Sequence, residues 1–183
     1  APPPPFGHYS PAYGEVLGRD IARLIAAHAV TNRSTLGAGA FAGTGFPINR
    51  GQVSDLLGFD DLLVNSWDCV ASRDYLLQIE SAAAILTSTL SRVAQDIYVW
   101  CTGEFGVWKL GGEIANQSSI MPQKVNPAIV EFMRAKSGHA FGAFSSTFIG
   151  VNKSPFSLCC DLHESDSLFS LGIGETIRAM DLM

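Results

Sequence analysis

Charge is scarce in these 183 residues: Asp, Glu, Lys and Arg make up 16% of them, against roughly 25% in an ordinary soluble domain. A chain this long can build a substantial core, but with so few charges it has trouble covering its own surface. Either other subunits bury much of it, or the missing charges lie on further sequence. Runs of Lys and Arg are absent and the formal net charge is −5, so a nucleic-acid partner is not expected. No uninterrupted apolar stretch reaches the 18 or so residues of a membrane span, and none is expected. The opening Ala-Pro-Pro-Pro-Pro has neither the basic start nor the apolar run of a secretory signal. The four cysteines, Cys69, Cys101, Cys159 and Cys160, contain no Cys-x-x-Cys. Neither a disulfide framework nor a metal site is read from that spacing, and free thiols in a reducing cytoplasm are expected.

What is present reads as long helices joined by glycine-rich loops. Val16, Leu17, Ile21, Leu24, Ile25 and His28 recur at helical spacing between Tyr13 and Thr31. Leu36 to Gly45 carries too many glycines for a stable element, and a short helix is predicted over Arg50–Leu57, stopped by Gly58. From near Ser72, the residues Ile79, Ala83, Leu86, Leu90, Val93, Ile97 and Trp100 follow the 4-3 alternation of a packed bundle helix. Only Arg92 and Asp96 are charged between Ser81 and Thr102. A long helix without a charged face is usually buried on nearly all sides, which predicts an oligomeric bundle. After a long loop from Gly103 to Gln123, Asn126 suits a helix cap and Pro127 a first helical position. That helix carries Ile129, Met133, Phe141, Phe144 and Phe148. A last helix is predicted from Asp161, with Glu164 as its capping-box partner. No stop signal precedes Met183, so residues 1–183 are expected to be a segment of a longer polypeptide.

The segment with chemistry is Gln117 to Pro127. It is a loop with two hydroxyls, followed by one cation and one amide at the entrance of a helix. A serine can act as a base where a dry site and positive charge favour its alkoxide. Lys124 and the helix N-terminus after Asn126 supply positive potential for a carboxylate or a developing anion.

The pattern Ser118-Ser119-x-Met121-Pro122-x-Lys124-x-Asn126-Pro127 resembles the signature loop of the fumarase/aspartase superfamily. Three further blocks are most similar to argininosuccinate lyases: Leu36 to Thr44, Phe46 to Asp60, and Asn65 to Asp74. Phe6-Gly7-His8-Tyr9 resembles the stretch just after that family's Thr-His-x-Gln block. The resemblance implies an all-α, long-helix bundle, the central helical domain of that superfamily, in a longer lyase chain that forms a cytoplasmic homotetramer of amino-acid metabolism. Each active site would be shared between subunits. The implied reaction is β-elimination from a small dicarboxylate, an N-substituted aspartate, releasing fumarate and an amine, with no metal and no cofactor.

Carried over by position, Ser118 is the implied base, with Ser119 as the alternative. Lys124 and Asn126 are implied to hold the substrate carboxylate and stabilise the intermediate. Glu131 is implied to pair with a histidine of another subunit. Met121, Arg73 and His163 are the further implied substrate contacts; Arg73 either braces the site or pairs locally with Asp74. His163 takes its place from a departure. Leu158, His163 and Asp166 stand where argininosuccinate lyases carry the Tyr, Gln and Lys that contact the arginine half, and Val125 and Ala128 replace a Lys and an Asp. The fumarate-forming half of the site is therefore expected to be retained and the amine-recognition half rebuilt. A fumarase or aspartase is the nearest alternative, on Lys124-Val125-Asn126-Pro127. A non-catalytic, crystallin-like relative is the alternative from another class.

Overall fold

The computed structural model describes residues 6–111, 116–117, 119–121 and 123–182, with 6, 116, 117, 161, 162 and 164–166 described by backbone alone. Among these are six helices: α1 (Phe6–Thr31), α2 (Arg50–Leu57), α3 (Ser66–Ala71), α4 (Asp74–Trp100), α5 (Ala128–Lys153) and α6 (Cys160–Asp181). Four two-residue strands join them: β1 (Arg33–Ser34), β2 (Asp61–Leu62), β3 (Asn116–Gln117) and β4 (Val125–Asn126). The all-α bundle expected from the sequence is what forms. None of the described helices is long and apolar enough to cross a membrane.

The four long helices run antiparallel in succession. Tyr9 and Tyr13, near the start of α1, both donate their hydroxyls to the Asp96 carboxylate late in α4, the second at 2.7 Å. Thr147 late in α5 donates to Glu80 early in α4 at 3.0 Å, while Lys136 early in α5 meets Glu175 late in α6 at 2.5 Å. The core gathers Leu86, Leu90, Ala94, Val130, Met133 and Ala179, flanked by Leu17 and Leu24 of α1. The bundle therefore has two poles, separated by the length of α4: 27 residues at 1.5 Å each, about 40 Å.

Several sequence expectations shift. Helix α1 begins at Phe6 rather than near Tyr13, because the added turns are held by the two tyrosine bonds to Asp96. Helix α4 begins at Asp74, and a separate short helix, α3, precedes it. Asn65 caps α3 by accepting from the amides of Trp67 and Asp68 at 2.9 and 3.2 Å. Asn126 is not a cap. It lies in β4, and Pro127, expected as the first helical residue, takes the cap position of α5 without a side-chain bond, so the helix begins at Ala128. Likewise α6 starts at Cys160, one residue before Asp161, with Cys159 in the cap position and no side-chain cap bond; the side chains of Asp161 and Glu164 lie outside the described residues. The predicted stop of α2 is found: Gly58 is left-handed (φ 76°), and its amide and that of Phe59 bond back to Asp55 and Ser54.

The α4 seam is formed as read at Ala83, Leu86 and Leu90, which are buried, and half-buried at Ile79, Val93, Ile97 and Trp100. Helix α5 differs. Its buried residues, Val130, Met133, Ala140, Ala143 and Thr147, include no aromatic ring, while Phe141 is 61% and Phe148 50% exposed. The reason is the approach of α6: a Cβ on Gly172 would sit 2.7 Å from the Cβ of Ala143. At that spacing no ring fits between the helices, and the phenylalanines turn outward.

A smaller unit covers one pole. Strands β1 and β2 pair in parallel, Arg33 with Asp61 and Ser34 with Leu62. Arg50 ties the surrounding loops, donating to the carbonyls of Leu36 and Leu63 at 2.8 and 2.9 Å and contacting the Cys69 sulfur at 3.4 Å. The glycine-rich loop folds over this arginine: Gly37 is left-handed (φ 81°), and a Cβ there would lie 2.8 Å from Arg50 Cγ. Phe41 also takes positive φ (75°), a conformation a bulky residue adopts only when its surroundings impose it. Its ring packs on Trp67 at 4.5 Å, and the Trp67 indole donates to the carbonyl of Phe156 at 2.8 Å.

Candidate active site

The signature segment forms a β-hairpin. Strand β3 pairs antiparallel with β4, Asn116 opposite Asn126 and Gln117 opposite Val125, and the described residues 119–121, 123 and 124 lie at its tip. Ser118, the expected base, and Pro122 lie outside the described residues. Ser119, Met121 and Lys124 are exposed on the tip, where the Lys124 amide donates to the Met121 carbonyl at 2.9 Å. Asn126 is half-buried at the hairpin root, and Glu131 is exposed in the first turn of α5. Neither Lys124 nor Glu131 is engaged in an ion pair among the described residues. The hairpin brings the Ser119 hydroxyl, the Lys124 ammonium and the Asn126 amide to one pole, at the positive end of the α5 dipole, where the first turn of α5 adds the Glu131 carboxylate.

Beside the hairpin root, a cavity of about 290 Å³ is lined by Cys101, Trp108, Lys109, Leu110, Val125 and Pro127. Burial pushes the Cys101 thiol up from its ordinary pKa. Trp108 stacks on Trp100 at 5.5 Å and donates its amide to the Trp100 carbonyl at 3.1 Å, folding the chain back across the end of α4. The sequence reading treated this stretch as plain loop. The signal it passed over was a pair of tryptophans bracketing a helix end, with Lys109 next to the second.

Arg73 and His163 do not join this group. Arg73 precedes α4 and His163 lies in the first turn of α6, both at the opposite pole, about 40 Å from the hairpin by the length of α4. His163 is exposed. The Arg73 guanidinium donates from Nη1 to the carbonyls of Val70 and Ser72, at 3.1 and 2.7 Å. Of the two alternatives for Arg73, the local ion pair with Asp74 is not formed; Asp74 accepts from the Ser72 hydroxyl. His8 and His28 are exposed on α1, and His139 lies 3.3 Å from Glu175. Glu175 is held down to about 2 chiefly by Lys136, with His139 and Arg178 adding to that against the opposing effect of burial.

A bundle of long antiparallel helices carrying a Ser-Ser-x-Met-Pro-x-Lys-x-Asn-Pro hairpin at the head of a bundle helix is the architecture of a helical lyase domain. The chain belongs to the lyase family, whose model matches residues 1–142. Over 184 aligned residues it is 44% identical to argininosuccinate lyase 1 of Shouchella clausii, covering all of this chain and 37% of that protein. It is 40% identical over 183 residues to the argininosuccinate lyase of Methanothrix thermoacetophila, covering 100% of this chain and 38% of that one. Among solved structures, an EDDS lyase variant with bound fumarate matches with a TM-score of 0.83 and 36% identity, over 93% of this chain and 35% of that one. A class II fumarase from Schistosoma mansoni shares the fold, with a TM-score of 0.70 at 19% identity over 96% of this chain and 40% of its own. These matches place the fold in the fumarase/aspartase superfamily. The chain spans 37–38% of the length of the two curated relatives described.

Proposed function

We propose that residues 1–183 are the central helical segment of a longer carbon–nitrogen lyase that cleaves an N-substituted aspartate by β-elimination, releasing fumarate and an amine. The observation that carries this reading is the hairpin: the signature pattern is complete in the sequence, and its described residues Ser119, Met121, Lys124 and Asn126 lie on the hairpin that leads into α5. Ser118 removes the proton next to a carboxylate. Lys124 and Asn126 receive that carboxylate and stabilise the dianion, the interaction from which such catalysis draws most. The C–N bond then breaks, the amine leaves with its electron pair, and the double bond of fumarate forms. Glu131, which forms no ion pair among the described residues, engages a histidine of another subunit. Ser119 and Met121 contact substrate from the same tip.

Arg73 and His163 serve a site in which the hairpin comes from a different copy, since within one chain they lie a bundle length away from it. A homotetramer with shared sites supplies that juxtaposition. Its support is the uncovered apolar face on α1, α4 and α5, where Ile21, Ile25, Ile85, Phe141 and Phe148 are exposed; a face of this kind marks an interface. A cytoplasmic location fits the four free cysteines, and a place in amino-acid metabolism fits the argininosuccinate lyase relatives. Fumarate release from a panel of N-substituted aspartates, followed by ultraviolet absorbance in the full-length protein, tests the reaction. Ser118→Ala is expected to abolish turnover and leave oligomer size unchanged. A near-normal rate moves the base elsewhere, and a well-folded tetramer inactive on the whole panel favours the non-catalytic reading.

A further inference from the structure

All four cysteines are free thiols, and two of them are taken up by their surroundings. The Cys69 thiol donates to the Leu63 carbonyl at 3.2 Å and lies 3.4 Å from the Arg50 guanidinium. Burial pushes the Cys101 thiol up, away from the thiolate that reacts. Cys159 and Cys160 are different. They are adjacent in the chain, Cys160 is exposed and Cys159 half-buried, and Cys159 holds the cap position of α6 without a side-chain bond.

Consecutive Cα atoms are about 3.8 Å apart across a trans peptide, closer than the roughly 4.4–6.8 Å of ordinary disulfides. A bond closed between such neighbours is strained, and strained disulfides are the easily reduced ones that serve as labile, regulatory bonds. Cys159 is extended (φ −146°, ψ 159°) and Cys160 is the first residue of the helix. Consecutive side chains leave either kind of backbone in different directions, so the ring closes only if this junction shifts. Little holds the junction in place. The bond that a helix cap usually supplies is missing. Cys160, His163 and Ser167 are exposed, and the first buried residue of α6 among those described is Gly172, more than three turns in.

We propose that Cys159 and Cys160 form a thiol–disulfide switch, in which a low-molecular-weight disulfide oxidises the pair to a Cys159–Cys160 bond that unwinds the head of α6. The exposed Cys160 sulfur, as thiolate, attacks one sulfur of the small disulfide, and the other half leaves as a thiolate. Cys159 then attacks the Cys160 sulfur of the mixed disulfide, closing the ring and releasing the second half. The pair gives up two electrons and two protons, and the small disulfide takes up both and becomes two thiols. Excess thiol runs the exchange backwards. Closure displaces His163, which lies one turn into α6. The switch stands on the sulfur pair and the helix head alone and does not depend on the lyase reading.

Oxidised glutathione on the full-length protein tests it. The tryptic peptide between Lys153 and Arg178, whose only cysteines are this pair, is expected to become two hydrogens lighter and to regain them in dithiothreitol. In the oxidised protein, amides of the second turn of α6, bonded to first-turn carbonyls in the reduced helix, are expected to lose their protection from hydrogen exchange. Amides beyond Gly172 are expected to keep it. Cys160→Ser is expected to abolish both the ring and the change in exchange, while Cys101→Ser leaves both as they are. The measurements on the unaltered protein need no variant, so a folding defect in either does not blunt the test. A pair that stays reduced, stops at the glutathione adduct, links two chains, or closes without a change in exchange at the head of α6 overturns it.

Discussion

The close crossing of α5 and α6 makes a prediction whose sign depends on the partner residue. Gly172→Ala places a methyl carbon 2.7 Å from the Cβ of Ala143, about 1 Å inside the separation two carbons prefer. Overpacking of this kind costs about 1–3 kcal/mol, while replacing a helical glycine by alanine returns up to about 1 kcal/mol of propensity. The net expectation is destabilisation by about 1–2 kcal/mol. Ala143→Gly alone loses about 1 kcal/mol of propensity and about 0.8 kcal/mol for the buried methyl. In the double variant the propensity changes cancel and one methyl again fills the crossing, now from the opposite helix. Stability should return to within about 0.5 kcal/mol of the parent. The same Gly172→Ala change is therefore destabilising in the parent and stabilising by about 1–2 kcal/mol once Ala143 is glycine. Urea unfolding followed by far-ultraviolet circular dichroism across the four proteins measures this. Additive effects, with Gly172→Ala carrying one sign in both backgrounds, would show that the helices do not meet closely there, and the account of the outward-facing phenylalanines would fall with it.

Three further expectations concern charge, loop and surface. Glu175 titrates near 2 when folded against an ordinary 4.5, so its stabilisation is complete above about pH 4.5 and is lost as pH falls toward 2. Glu175→Gln should lower stability at neutral pH and flatten the acid-unfolding slope between those values; an unchanged slope refutes the assignment. Arg50→Ala removes the donors to the Leu36 and Leu63 carbonyls, worth about 1.5–3 kcal/mol each for a charged donor. Limited proteolysis should then cut residues 36–48 faster while the helical dichroism persists, and equal cleavage rates count against Arg50 as the tie. Phe141→Glu changes a side chain that is 61% exposed within the chain, so secondary structure should hold while the mass from light scattering drops below that of the proposed tetramer. An assembly of unchanged mass and stability would move the proposed interface off this face.

Local signals were read well where a single residue decides the geometry. Gly58 ends α2 because only a residue tolerant of positive φ fits there, and the 4-3 pattern of α4 located its buried positions at Ala83, Leu86 and Leu90. Short α3 escaped because its six residues complete fewer than two turns, too few for a periodic pattern. Asn126 was misread as a cap because the residue type suits both a cap and a strand, and the pairing with Asn116 that settles it comes from ten residues upstream.

By itself the sequence determined that the chain is helical, that one segment carries a serine, a lysine and an amide in a lyase pattern, and that too few charges are present for an uncovered surface. The tertiary structure decided which groups share a pole. It placed Lys124, Asn126 and Glu131 at one end and Arg73 and His163 at the other. It turned Phe141 and Phe148 outward. Periodicity sets the angle at which a side chain leaves its own helix. How near the next helix lies, and what faces a side chain across the gap, depends on packing between residues far apart in sequence.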